Sequence, residues 1–206
     1  IKPSYASVSR YGLIDLSMSL DQIGLIGKNV EDVALVLDVI RGKDEKDTIS
    51  VESEKIEIKK LGKMKVGILR IKGVDKRIEK LFDESLDFMK SDDKFKGWEF
   101  KEIDIKYIDL AVETYYPLVY SEFYSATRRF DGRRYGYKIE EKCGEEVLRR
   151  ILGGSVITKA EFAGQYYEKA LKIKELIAKE FEEAFEKYDC IILPTVPSLP
   201  WKIGHG

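Results

Sequence analysis

Apolar positions alternate between strand-like and helical spacing along most of the chain, and this pattern places the elements. Residues 1–28 hold no sustained period, are punctuated by Ser and Gly, and read as an irregular opening segment. Asn29 then reads as a helix N-cap with Asp32 three residues on. Val30, Val33, Ala34, Leu37 and Ile40 follow at helical spacing, and Gly42 supplies the stop. Residues 43–63 are polar and charged and are predicted to form a surface connection. Met64–Ile71 is a compact β-like run. Asp75 caps a predicted helix with Ile78, Leu81, Phe82, Leu86 and Met89 on one stripe, and Trp98–Ile105 returns as a strand. The crossover is long enough for parallel strands joined in the right-handed sense, which is the strongest sign of an α/β fold.

Further along, residues 107–128 read as a helix that Pro117 kinks or interrupts, and residues 144–157 as a second helix. Thr158-x-x-Glu161 has the form of a capping box opening a long helix. Its inward stripe is Ala163, Tyr166, Tyr167, Ala170, Ile173, Ile177, Phe181, Ala184 and Tyr188. Cys190–Leu193 is a short buried strand stopped by Pro194. The chain shows no internal repeat and no low-complexity tract.

Charge narrows the function classes. Lys and Arg number 36 and Asp and Glu 37, a formal net charge of -1, which excludes a strongly basic nucleic-acid coat and an acidic tail protein. No apolar run is long enough to span a membrane and no signal peptide is visible, so no membrane role is expected. Cys143 and Cys190 are far apart without a CxxC, so neither a disulfide scaffold nor a cysteine zinc site is expected, and the cytoplasm is the expected compartment. The one histidine, His205, is next to last, which removes catalysis through a paired histidine and leaves no expected metal site. The chain begins with Ile1 and not Met, so 206 residues is not taken as its natural length.

The candidate chemistry lies in Arg and Tyr. Seven of the twelve Tyr fall between Tyr107 and Tyr137, and six of the ten Arg between Arg128 and Arg150, densest from Arg128 to Tyr137. Arg recognises carboxylate or phosphate bidentately and Tyr presents an apolar body with a polar tip. Two readings stand: a recognition site for an anionic or zwitterionic ligand or an RNA contact, or a helix end with structural Arg–carboxylate pairs and Tyr packing. Gly24-x-x-Gly27-Lys28 precedes a helix but lacks the phosphate-loop pattern, and reads as a plain loop. Gly153-Gly154-Ser155 is no nucleophile elbow, because Ile157 stands where G-x-S-x-G needs glycine. Ser155 reads as a helix-packing residue and Cys190 as core.

Several segments in order resemble the amidase signature family, and within it the amidase components of glutamine-dependent aspartyl/glutamyl-tRNA amidotransferases. They are Lys2-Pro3, Tyr5, Val8–Leu13 (VSRYGL), Ser19–Gly24 (SLDQIG), Asn29–Asp47 ending in Asp44 and Asp47, and Tyr115-Tyr116 with Ser121-Glu122. The series continues through RFDGRRYG from Arg129, EEVLRRI from Glu145, and the segment from Tyr166-Tyr167 to Cys190–Pro197. SLDQIG is shared widely among amidases, whereas RFDGxRYG with EEVxRRI is more specific to the tRNA branch.

The resemblance implies an α/β/α sandwich with a central mixed sheet flanked by helices, with residues 1–206 the C-terminal part of a single domain incomplete at both ends. It implies glutamine hydrolysis by a Ser–cis-Ser–Lys triad without histidine. The ammonia would pass to the partner known as the B subunit. That partner uses ATP and Mg²⁺ to amidate Glu-tRNA(Gln), Asp-tRNA(Asn) or both, in a complex completed by the C subunit. The family's nucleophile lies in a GGSxRxP motif upstream of the segment resembling Ile1, and the bridging Ser and the Lys lie further upstream. No catalytic residue is therefore expected in this chain, and Ser4, Ser7, Ser9, Ser17 and Ser19 read as non-catalytic loop positions. The expected substrate-binding residues are Tyr115 and Arg150: the Arg would clamp the glutamine α-carboxylate and the Tyr hydroxyl would orient its polar groups. A family Asp that meets the amino group lies beyond the segment resembling the end of the chain, and no cofactor is expected within these residues. Alternatives are a free-standing amidase acting on another small amide, and a non-catalytic truncated binding module.

Overall fold

A computed structural model describes residues 1–57, 61–130, 132, 134 and 136–204. In chain order the elements are α1 (Val30–Ile40), β1 (Lys65–Leu69), α2 (Lys76–Ser91), β2 (Glu99–Ile103), α3 (Ala111–Thr127), α4 (Ile139–Lys142), α5 (Glu145–Ile157), α6 (Gln165–Phe185) and β3 (Cys190–Ile192). The chain forms two units, Ile1–Lys60 with Tyr116–Tyr167, and Leu61–Tyr115 with Glu168–Gly206.

The second unit carries the sheet, in the order β2-β1-β3 with both pairs parallel. This is the α/β fold expected, although the strands of the described residues are parallel throughout and not mixed. The order follows from burial. Central β1 supplies Val66, Ile68 and Leu69, each almost fully buried, and takes a partner on either side. Gly67 lets Ile103 of β2 approach: a Cβ there would lie 2.8 Å from the Ile103 Cδ1. Asp189 sets the β3 register from outside the strand, since its carboxylate accepts from Lys65 N (2.7 Å) and its own N–H donates to the Lys65 carbonyl (2.8 Å). Leu69, Ile105 and Ala184 pack with Ile103, Ile108, Phe181 and Ile191. The stripe predicted on α6 faces inward from Tyr167 onward: Ala170 and Ala184 are buried, and Tyr167, Ile173, Ile177 and Phe181 are half-buried at the same spacing, whereas Tyr166 is exposed and does not belong to it. On α2 the Asp75 cap is as expected, accepting from Arg77 N (2.9 Å). Leu86 is buried, but Leu81 is exposed and does not belong to the stripe.

In the first unit Val8, Leu25 and Leu37 form a core with Ile23, Val33 and Ile56. Asn29 caps α1 as predicted, accepting from Asp32 N at 2.7 Å. Gly27 is a packing position, because a Cβ there would sit 2.7 Å from Val33 Cγ2. The region from 43 is less open than its polarity suggests. Residues 44–50 fold into a turn held by Asp44, Asp47 and Ser50, and the last two are buried. Helix α3 is assigned through Pro117 without interruption.

The Thr158 capping box does not form. Thr158 ends α5, and both its N–H and its Oγ1 donate to the Gly154 carbonyl (3.1 and 2.7 Å). As the C-cap of α5, Thr158 has φ -93 and ψ 4, not the extended backbone from which an N-cap side chain accepts the N–H groups that follow. A 3-10 turn over Ala160–Phe162 follows, then two left-handed residues, Ala163 (φ 45) and Gly164 (φ 78), and only then α6. Ala163 therefore lies outside the helix that the spacing predicts for it.

Candidate functional site

Three polar clusters occupy the first unit, and the predicted Arg150 belongs to one of them. Arg150 lies on α5 with its side chain 19% exposed, and its Nε donates to Glu146 Oε1 at 2.8 Å. Arg149 binds the same carboxylate through two bonds, Nε to Oε2 and NH2 to Oε1, both 2.7 Å. The Arg149 guanidinium also lies 5.7 Å from the Tyr116 ring centroid and 5.5 Å from that of Tyr120, and donates to the Tyr120 hydroxyl. Hydrogen bonds from Arg149 first, then Arg150, hold the Glu146 carboxyl down at about 2, so it is ionised at neutral pH. One carboxylate thus serves two guanidinium groups. These three side chains together carry a net positive charge, as an anionic ligand would require.

The spacing that builds this cluster is helical. Glu146, Arg149 and Arg150 stand at i, i+3 and i+4 and project from one face. The tyrosines come from α3, which approaches closely because Gly153 and Gly154 occupy the facing turn. A Cβ on Gly154 would lie 2.2 Å from the Tyr120 carbonyl oxygen and 2.5 Å from Tyr124 Cβ. Tyr115, the other predicted ligand residue, belongs to the second unit and is 38% exposed on α3. Tyr115 and Arg150 thus fall in different units.

The second cluster surrounds Glu122, a buried carboxylate on α3. Its Oε2 accepts from Ser17 Oγ (2.8 Å) and Ser19 N (2.9 Å), and its Oε1 from Ser19 Oγ (2.5 Å) and the Tyr167 hydroxyl (2.9 Å). Burial alone would push the Glu122 carboxyl up. The donors on Ser19, Ser17 and Tyr167 outweigh burial together and leave it below its usual value. Burial first, and the neighbouring carboxylate second, push the Tyr167 hydroxyl up to about 12. Glu122 and Tyr167 also line a cavity of about 330 Å³ with Met18, Ser121, Ser125 and Thr158.

The third cluster ties the start of the chain to the turn after α1. Asp47 accepts from Arg10 N (2.9 Å), Arg10 Nε (3.2 Å) and Arg10 NH2 (3.2 Å), and Asp44 accepts from Ser9 Oγ (2.6 Å). Arg10 NH1 also donates to the Tyr5 hydroxyl at 3.0 Å. Arg10 holds the Asp47 carboxyl down at about 2.

The dense Arg/Tyr segment behaves largely as structural pairing where it is described. Arg128 binds Glu140 (2.8 Å) and lies 4.5 Å from the Tyr124 ring centroid, and Arg129 binds Asp15 (2.6 Å). Asp131, Arg133, Tyr135 and His205 lie outside the described residues. Ser155 is part of α5 and donates to the Leu152 carbonyl, and Cys190 is half-buried with its thiol pushed up by burial and then by Asp189. Among the described residues no three His, Cys, Asp or Glu converge as metal ligands, and no helix is long and apolar enough to cross a membrane.

A family model described as Amidase matches residues 1–206. The chain belongs to the amidase family. It is 47% identical over 206 residues to the A subunit of glutamyl-tRNA(Gln) amidotransferase from Methanocaldococcus jannaschii, covering 99% of this chain and 46% of that protein. It is 46% identical over 207 residues to the protein of the same name from Methanococcus maripaludis strain C7, covering 100% of this chain and 47% of that one. The crystal structure of the Thermotoga maritima protein of that name matches with a TM-score of 0.74 at 33% identity, over 98% of this chain and 43% of that one. The chain thus spans about half the length of the relatives it matches.

Within the amidase family frame, the clusters give physical reasons for the motif residues. The serines of the SLDQIG region and the glutamate of Ser121-Glu122 form one hydrogen-bonded unit, although Ser17 and Glu122 are 105 positions apart. Asp21 of the same motif accepts from Leu16 N (2.9 Å) and Ser17 N (3.0 Å), shaping the turn that presents those serines. Reading Ser17 and Ser19 as ordinary loop residues misses this role. The available signal is a Ser-x-Ser pair together with an acidic residue on an otherwise apolar helix face.

Proposed function

We propose that these residues form part of the glutamine-hydrolysing component of a cytoplasmic tRNA amidotransferase. The observation that carries the proposal is the 47% identity, across 99% of the chain, to a protein named as the A subunit of glutamyl-tRNA(Gln) amidotransferase. In this reading Arg150 clamps the glutamine α-carboxylate and Tyr115 orients its polar groups. Arg150 suits that task because it is always charged, projects a planar fork, and is held on a rigid helix. The Ser–cis-Ser–Lys triad is contributed by the length of the relatives that this chain does not cover. The ammonia released goes to the B subunit, which activates Glu-tRNA(Gln) or Asp-tRNA(Asn) with ATP and Mg²⁺; the C subunit is the third member of the complex.

The test is glutaminase kinetics of the full-length protein with its partners, next to the 206-residue chain alone. Arg150→Ala is expected to raise the glutamine KM by about tenfold or more with a smaller change in kcat, since the lost contact serves the bound substrate throughout. Tyr115→Phe, which removes a neutral hydrogen bond, is expected to cost less. The 206-residue chain alone is expected to release no ammonia. An unchanged KM for Arg150→Ala, or hydrolysis by the chain alone, would overturn these assignments.

A further inference from the structure

We infer that Glu146 is a positioning residue for Arg150, and that Arg149 is the brace that fixes Glu146. The inference rests on the reading of Arg150 as the carboxylate clamp and assigns the orientation of that clamp to two other side chains. Along the chain of contacts, the Arg149 guanidinium is held against the Tyr116 and Tyr120 rings and by the Tyr120 hydroxyl. It grips both oxygens of Glu146. The Oε1 so fixed accepts the Arg150 Nε–H at 2.8 Å.

A guanidinium can meet a carboxylate side-on, through Nε and one terminal nitrogen, or end-on, through both terminal nitrogens. Glu146 occupies the Nε side of Arg150. It therefore selects the end-on geometry and fixes the rotation of the guanidinium plane. Glu146 serves as a substitute carboxylate on one edge and directs the ligand's carboxylate to the other. Exposed ion pairs three and four residues apart on a helix contribute little to stability. Positioning rather than folding is the effect expected to dominate when Glu146 is changed.

The experiment measures glutamine KM and kcat in the full-length protein assembled with its partners. The variants are Glu146→Gln, Glu146→Ala, Arg150→Ala and the double change Glu146→Ala with Arg150→Ala. Glu146→Gln keeps the shape and one acceptor oxygen, so folding is preserved while the charge is removed. The expected result is a KM raised about three- to tenfold in Glu146→Ala, less in Glu146→Gln, with kcat within about twofold. In the Arg150→Ala background, Glu146→Ala is expected to add nothing, because the group it positions is gone. An equal KM increase from Glu146→Ala with and without Arg150 would overturn the inference while leaving the Arg150 assignment intact. So would an unchanged KM in Glu146→Ala when Arg150→Ala raises it. An unchanged KM in Arg150→Ala itself would overturn the substrate assignment, and the positioning role with it.

Discussion

Glu122→Ala and Glu122→Gln should differ sharply, and the difference can be worked from the donors. The carboxylate accepts four hydrogen bonds, three from hydroxyls and one from the Ser19 backbone N–H. A hydroxyl can rotate to find another acceptor or water, but a backbone N–H cannot invert. Alanine leaves all four donors without their acceptor, and the adjoining cavity lets water recover only part of the loss. Hydrogen bonds to charged groups contribute about 1.5–3 kcal/mol each, are not additive, and are partly replaced by water, which puts Glu122→Ala at about 3–5 kcal/mol. Glutamine can keep its carbonyl oxygen in the Oε2 place, where the fixed Ser19 N–H and the Ser17 hydroxyl point. Its amide nitrogen then faces the Ser19 and Tyr167 hydroxyls, both of which can turn to accept. Glu122→Gln should therefore cost about 1–2 kcal/mol. Urea unfolding of the full-length protein, monitored by a probe within residues 116–167, reads the two values. Destabilisation by Gln equal to that by Ala, or less than about 1 kcal/mol by Ala, would refute the reasoning.

Three further outcomes follow from the same contacts. Gly154→Ala should destabilise by about 1–3 kcal/mol despite the better helix propensity of alanine, because the new methyl meets the Tyr120 carbonyl. Gly153→Ala meets the Tyr120 ring at 2.7 Å rather than backbone, and should destabilise less than Gly154→Ala in the same thermal melt while loosening the Tyr120 contact with Arg149. Asp47 is held at about 2 in the fold, so its contribution is complete above the ordinary carboxylate pKa and is lost as pH falls toward about 2. Asp47→Asn should flatten that acid limb and speed hydrogen exchange at the Arg10 amide, on the order of tenfold. Tyr167 is raised to about 12, so the stability linked to its protonated form is present below its ordinary pKa and lost as pH climbs toward about 12. Tyr167→Phe should remove that alkaline dependence in a pH series of melts.

Elements defined by local chemistry are readable in the sequence. Asn29 and Asp75 cap their helices as expected, and the α6 stripe from Ala170 to Ala184 faces inward as its spacing requires. The failures lie where a distant partner decides the outcome. Thr158 fits a capping box by spacing, but its backbone is spent closing α5, with its N–H and hydroxyl both donating back to the Gly154 carbonyl. Ser17 and Ser19 look like ordinary loop serines until Glu122 and Tyr167 arrive from other segments. Residues 44–50 look solvated because Asp44 and Asp47 are charged, yet the groups that neutralise or bind them lie near residue 10. Arg150 stands out through resemblance alone. Glu146, which holds its Nε, follows from i,i+4 spacing once Arg150 has been singled out.

The interleaving of the two units has a consequence for synthesis. Each unit is assembled from two separate stretches, and the later stretch of each follows the earlier stretch of the other. During translation Glu122 therefore emerges long before Tyr167 can donate to it, and β1 long before β3 can pair with it. A nascent chain halted before Tyr167 leaves the ribosome carries a carboxylate without its full set of donors and a parallel strand with one side open. The first unit waits for the stretch ending at Tyr167 and the second for the stretch that begins at Glu168, so each closes only when a later segment arrives, as expected for folds dominated by long-range pairing.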